Sequence, residues 1–478
     1  MVFDQAEVAV QGALDAGAAY ADARVVVAKQ ETIDVQNQAV EAIDRSEQAG
    51  VGVRALVGSS WGFFATADVD AAQSAGERAA EIARASAVVP GAPIEFADVA
   101  VVSDSYETPH QEDPFAVPQS EKVDLLIGVT KTIQEVPGVA IATANLTFYD
   151  TDKWFVSSQG HRIHQHLVES GGGFDATALD DAESQRRSYP QSFGQYETGG
   201  YEVIRRWDFP SNAQRVGEEA VALLTADELE DHETDLILEG SQLALQIHES
   251  VGHAIELDRI LGWEAAFAGT SHLDLNKLGS FRFGSPLMNI TADATLPGAL
   301  GTFGFDDEGT AAQAVDIVKD GIWVGVLSGR DSAAIAGLPP GGMVRADGYN
   351  RLPMVRMTNV GLLPGDSSLD EIIADTHSGV YMATNRSWSI DDRRLNFQFG
   401  TEIAWEVKNG KLGRMLKNPT YTGIGPVFWG SLDRLAGGDE WIHWGTPNCG
   451  KGQPIQVAHT GHSAAPARFT NVRVGVTG

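Results

Sequence analysis

"YADARVVVAKQETIDVQNQAVEAIDRSEQAGVGVRALVGSSWGFFATAD", residues 20–68, alternates apolar and polar positions in several short runs broken by Gly and Ser. A period of two sends successive side chains to opposite faces of a strand, so the stretch predicts an antiparallel meander. Outward from it, residues 4–17 and the Ala-rich "VDAAQSAGERAAEIARASAV" (69–88) have helical spacing, and the second helix is expected to cover one face of the sheet. Residues 1–90 are therefore expected to form a first α+β domain. "PGAPIEFADVAVVSDSYETPHQEDPFAVPQS" (90–120) is rich in proline and acidic residues and reads as a connector. A helix at about 119–135, strands near 138–149, 152–158 and 161–168, and a helix at about 210–225 complete a second unit, 91–230. A third, 231–478, opens with a strand and a helix and continues as many short strands with Gly and Asp punctuation. The fold class expected is α+β with mostly antiparallel sheets: N-terminal α/β domains and a sheet-rich C-terminal catalytic domain. The βαβαβ alternation of a doubly wound fold is absent.

The chain has 478 residues and carries 65 acidic against 34 basic side chains, a net charge of −31. Such a surface repels nucleic acid and anionic lipid, so neither is expected as a partner. No apolar run reaches the length of a membrane span, and the first residues show no basic n-region or apolar h-region. The single cysteine, Cys449, permits no intrachain disulfide and suits a reducing compartment. A cytoplasmic location is expected.

The chemistry centres on "LALQIHESVGHAIELDRI", residues 243–260. It holds His248, Glu249 and His253, one residue more than the zinc-peptidase spacing H-E-x-x-H. The apolar positions are helical and Ser241 is the expected N-cap. On a regular helix residues five apart point about 140° away from each other, so the two histidines could not share an ion. A single π-turn brings them back over one another, and Gly252 makes that distortion easier. Glu249 then sits where the general base of a zinc peptidase sits. The bland alternative is two surface or cap histidines on an amphipathic helix.

Cys449 lies in "WGTPNCGKGQPIQV" (444–457), a polar, turn-rich stretch in which a packed cysteine gains little. A thiolate is a strong zinc ligand, and nearby Lys451 is expected to lower its pKa. Two histidines and one cysteine leave the fourth tetrahedral position for water, and the soft donors favour Zn²⁺. Cys449 as the nucleophile of a cysteine peptidase leaves His248, Glu249 and His253 without a role.

With these residues in hand, the sequence resembles the TldD/PmbA family of metallopeptidases, also called modulators of DNA gyrase. The resemblance runs through "AAYADARVV" (18–26), "HESVGH" (248–253), "GTFGFDDEGTAAQ" (301–313), "VRMTNVGLLPGDSSLDEII" (355–373) and "NCGKGQP" (448–454). The HExxxH motif and the later Cys-Gly are similar to the TldD-type member and not the PmbA (TldE) type, which lacks the metal motif. The resemblance implies zinc on His248, His253 and Cys449, with Glu249 as catalytic acid/base. It also implies unstructured peptide substrates held through backbone contacts in an enclosed cavity, and a homodimer or a heterodimer with a PmbA-type paralogue. The alternative function is a non-catalytic peptide- or protein-binding regulatory partner with a vestigial metal site.

Other residues are weighed beside these. His459 and His462, in "VAHTGHSAAPARF" (457–469), could lie near the metal or be loop residues. Asp306, Asp307 and Glu308 read as a turn before Gly309, with a supporting role behind a metal ligand as the alternative. Arg356 and Asn359 read as either peptide-binding groups or structural partners. "SGGGF" (170–174) reads as a flexible turn or a peptide-binding edge. His443 is expected to pack against Trp441 and Trp444. His161, His164 and His166 fall short of a ligand set, because no carboxylate or cysteine is spaced to help them.

Overall fold

The computed structural model describes residues 2–89, 91–267 and 269–475. The ends of the expected first and third units, Met1 and 476–478, lie outside the described residues, as do Pro90 of the connector and Ala268. Helix α1 (Val2–Asp15) leads into strands β1 (Tyr20–Gln36), β2 (Ala39–Val57) and β3 (Ser60–Thr66), followed by helix α2 (Ala72–Ser86). The expected meander is there, as three continuous strands rather than several short runs. Strand β4 (Ser103–Glu107) and helix α3 (Gln119–Gln134) precede β5 (Val139–Ser157) and β6 (Arg162–Leu179). Where three shorter strands were expected there are two long ones. The polar run Asp150–Lys153 imitates a turn but lies inside β5, fully in register with both neighbours. Strands β7 (Ser184–Tyr189) and β8 (Gln195–Thr198) and helices α4 (Glu202–Trp207) and α5 (Phe209–Leu224) follow.

These strands form one sheet ordered β3-β2-β1-β5-β6-β4, with β7 and β8 also on β6. The sheet is continuous across residue 90, because β1 pairs with β5 over most of its length. Its outer face carries two helix pairs. Alanines of α1 and α2 pack on Ala23, Val25, Val51 and Val53. Leu126, Val129 and Ile133 of α3 and Ala213, Val216 and Ala220 of α5 cover Ile33, Leu146 and Phe148. The glycines 171–173 are neither a turn nor a free edge: they lie in mid-β6, all three paired with β5 and Gly171 and Gly172 also with β8. A Cβ at Gly171 would stand 2.1 Å from the Tyr196 ring, so only glycine lets β8 close over the strand there.

The C-terminal half is built around a closed ring. His232–Leu238 pairs with Ala467–Gly475, which pairs with Thr420–Ile424, which pairs with Asn396–Lys408, which pairs with Ser378–Ile390. The last strand returns to His232–Leu238, in parallel. Helix α6 (Gly240–Ile247) is buried along its whole length against this ring. Its N-cap is Glu239, whose carboxylate accepts the Ser241 N–H at 2.9 Å, so Ser241 sits two positions too late to be the cap expected of it. Tyr421 ties the helix to the ring, accepting from Gln242 Nε2 at 2.9 Å and donating to Gln246 Oε1 at 3.0 Å. Leu243, Ile247 and Val251 are fully buried in the core, each contributing about 1.5–3 kcal/mol by leaving water. The class is α+β with mostly antiparallel sheets. Among the described residues no helix is long and apolar enough to cross a membrane.

Candidate metal centre

Helix α6 does not end at Ile247 but overwinds. Residues His248–Gly252 form a π-turn, closed by the His253 N–H donating to the His248 carbonyl at 3.1 Å. Such i→i+5 bonding returns residues five apart to the same side, and the two imidazoles stand perpendicular with centroids 4.9 Å apart. Gly252 lets this turn press onto its neighbour: a Cβ there would meet Met357 Sδ at 2.2 Å.

Cys449 arrives from the hairpin Ile442–Lys451/Gln456–Ala464. The stretch expected as a loop is a strand with a bulge: Thr446 pairs with Thr460 but Cys449 with Ala458, one residue extra on the first strand. Bulges re-aim side chains, and here the thiol is turned inward, 4% exposed, 3.8 Å from His253 Nε2. One ligand atom from each of His248, His253 and Cys449 lies within 4.8 Å of the others.

The outer atoms of the histidines are occupied. His462 Nδ1–H donates to the Val360 carbonyl at 2.9 Å, which leaves its Nε2 as an acceptor. That Nε2 is 2.7 Å from His248 Nδ1, so His248 donates there and keeps Nε2 free as a ligand. His253 Nδ1 lies 3.0 Å from Glu256 Oε2, freeing its Nε2 in the same way. Glu256 also pairs with Arg259 at 3.3 Å and Lys451 at 3.2 Å. Burial pushes the Glu256 carboxyl up, but the charges of Lys451, His253 and Arg259 outweigh it and hold it well below the usual range. Burial lowers His248, keeping the imidazole neutral as a ligand must be. At Cys449 burial pushes the thiol up, yet His253 and the Arg356 guanidinium turn the net direction down. The groups that lower the thiol are His253 and Arg356 rather than Lys451, whose ammonium bonds both Asp258 oxygens at 2.8 Å. This donor set, with both Nε2 atoms free and the thiol poised toward ionisation, fits a soft divalent ion.

Glu249 shares the cavity, a space of about 400 Å³ lined also by Phe193, Leu245, Trp388 and Ile390. Arg394, from the tip of the Ser378–Ile390/Asn396–Lys408 hairpin, donates to Glu249 Oε2 at 3.2 Å. Arg394 and Glu256 escape a reading of the sequence. Glu256 had a signal, standing three residues after His253 and thus on the same helical face. Arg394 had none, since only strand pairing brings it to the site.

The remaining candidates resolve to other places. His462 touches His248, but His459 pairs with Glu169 at 2.6 Å and packs at a tilt on Tyr149, away from the centre. Arg356 donates to the Cys449 and Gln456 carbonyls. Asn359 accepts from Gly301 N–H and donates to the Asp293 carbonyl. Both are buried structural groups that hold backbone. Asp306 closes a turn by accepting from Glu308 N–H and Thr310 N–H. Asp307 meets Arg24 and Lys153, and Glu308 meets Arg54, so these carboxylates join the two halves of the chain. His443 packs on Trp441 at 4.8 Å, whereas Trp444 packs on Trp207. His164 and His166 do have carboxylates beside them, brought from the opposite strand: Asp152 at 2.7 Å and Asp150 at 3.0 Å.

A fold with a closed ring of strands against a helix that ends in a π-turn, carrying two histidines, a glutamate and a distant cysteine, matches a known class. Residues 231–475 fit the model of the PmbA/TldA metallopeptidase C-terminal domain, and residues 21–86 that of PmbA/TldA metallopeptidase domain 1. The chain belongs to this metallopeptidase family, as its resemblance to the TldD-type member implied. It is 28% identical over 462 residues to a metalloprotease of Methanothermobacter thermautotrophicus, covering 96% of each chain. It is 32% identical over 212 residues to a metalloprotease TldD homolog of Haemophilus influenzae, covering 44% of this chain and 42% of that one. The fold is shared with a solved Thermotoga maritima protein named as a modulator of a DNA gyrase, with a TM-score of 0.79 and 16% identity over 99% of each chain.

Proposed function

We propose that the protein is a zinc-dependent peptidase of broad sequence specificity, with residues 231–478 as its catalytic unit and 1–90 and 91–230 as the units packed beside it. His248, His253 and Cys449 hold the ion and Glu249 is the acid/base. The observation that carries this reading is the convergence of those three donors in one cavity with Glu249. When bound, zinc supplies a Lewis acid that polarises a scissile carbonyl and makes water acidic enough to ionise near neutrality.

The chain's own residues do the rest. Glu249 takes the proton of the attacking water and delivers it to the leaving amine. Arg394 holds the Glu249 carboxylate in place through one of its oxygens. His462 and Glu256 fix the imidazole tautomers. Thr446 and Asn448, at the bulged edge strand of a two-stranded sheet, line the cavity. An extended peptide added there bonds through its backbone, which reads shape more than side chains. Unstructured peptides are the substrates, and a homodimer or a pair with a PmbA-type paralogue is the working form.

Glu249→Gln tests the reading. The variant should keep its metal, measured by elemental analysis, and lose about 10²–10⁴-fold in turnover of a fluorogenic peptide. Undiminished turnover removes Glu249 from the role. Metal-free wild-type protein that still cleaves removes the centre itself.

A further inference from the structure

A second group of ligating side chains lies about midway along the outer face of the N-terminal sheet, between the two helix pairs. One ligand atom from each of Asp150, Asp152 and His166 lies within 4.8 Å of the others. Pairing places them together: Asp152 sits opposite His166 across β5 and β6, and Glu107 sits opposite His166 across β4 and β6. Because residues two apart on a strand share a face, Asp150 joins them.

We propose that Asp150, Asp152 and His166 form a second site, for a divalent transition ion such as Zn²⁺, Mn²⁺ or Co²⁺. Donors about 2.1 Å from an octahedral ion stand about 3.0 Å apart at adjacent positions. His166 Nε2 and Asp150 Oδ1 are 3.0 Å apart. Behind the ring, the Glu107 carboxylate lies 3.6 Å from His166 Nδ1, within ion-pair range. His164 holds Asp152 at 2.7 Å, and its own ring is stacked on Trp154 with centroids 4.8 Å apart. An imidazole with two carboxylates selects these ions over Ca²⁺, which takes oxygen alone. The donors are between a fifth and two-fifths exposed, so water can complete the coordination. Lys29, the cross-strand partner of Asp150, is the nearby cation an ion would have to share the site with.

The test counts ions. The whole protein is dialysed to equilibrium against Zn²⁺ and its metal content is measured, beside an Asp150→Asn/His166→Gln double variant. The variant should hold one ion fewer per chain and cleave peptide at the wild-type rate when zinc-saturated. A Cys449→Ser variant should keep this ion. Equal metal content in wild type and double variant overturns the proposal, whatever the state of the Cys449 centre. Should the double variant not fold, a zinc-edge anomalous map of soaked wild-type crystals decides: a peak between Asp150, Asp152 and His166 supports the site, and none there overturns it.

Discussion

The two groups of ligating side chains differ in what stands behind them. At His248, His253 and Cys449 every donor is nearly buried, and each histidine has a dedicated partner, His462 or Glu256, that no other ligand uses. At Asp150, Asp152 and His166 the donors are partly exposed and are hydrogen-bonded among themselves and to His164. The first group is fixed by a defect in a helix, the second by strand register. A buried, separately supported set is held ready whether or not an ion is present. An exposed set exchanges its mutual hydrogen bonds for the ion.

That contrast can be broken at three points. The largest effect is expected at Glu256. Glu256→Gln removes the charge behind His253 and should weaken metal binding by about 10–100-fold in a competition titration with a chromophoric chelator. The matching change at the sheet, His164→Gln, should shift zinc affinity there far less; equal losses would erase the distinction. Next is Arg394→Gln, which takes away a charge-assisted hydrogen bond to Glu249. About tenfold should be lost in kcat with metal content unchanged, in line with the worth of such a bond. A loss of metal instead would make Arg394 part of the ion's support.

The smallest effect on the centre is expected at Glu308, which joins the halves of the chain. Burial drives its carboxyl up, more than the Arg54 guanidinium draws it down, to about 7. Between the ordinary carboxylate range and pH 7 the folded state therefore holds a proton that the unfolded state has released. Stability from this group falls as pH rises through that window and is level above it. Glu308→Gln should flatten the slope of denaturant midpoint against pH between about 4.5 and 7, leaving metal content unaltered. An unchanged slope would assign the pH dependence to other groups.

Much of the centre was legible because a helix writes its neighbours at short spacing. His248, Glu249, Gly252 and His253 lie within six residues, and the pitch of a helix alone requires a π-turn to join the histidines. Cys449 stood out as the single cysteine. Partners brought by pairing were not legible: Arg394, and the carboxylates of Asp150 and Asp152 beside His166, depend on register that no local pattern encodes. The same gap misplaced strand boundaries. Asp150–Lys153 resembles a turn because Asp150 and Asp152 belong to a sheet face left open between two helix pairs, while Lys153 on the opposite face pairs with Asp307 of the other half of the chain. The bulge at Cys449 was hidden likewise, since Pro447 and Asn448 signal a loop and the strand resumes after one extra residue.

The strand Ser378–Ile390 is hydrogen-bonded on both sides, to His232–Leu238 and to Asn396–Lys408, so the circle of strands has no loose end. Helix α6, buried along its whole length and tied to the ring by Tyr421, gives the overwound turn a fixed base. Unlike a zinc finger, which collapses when stripped, a chelated sample of this protein should remain folded and accept its ion again.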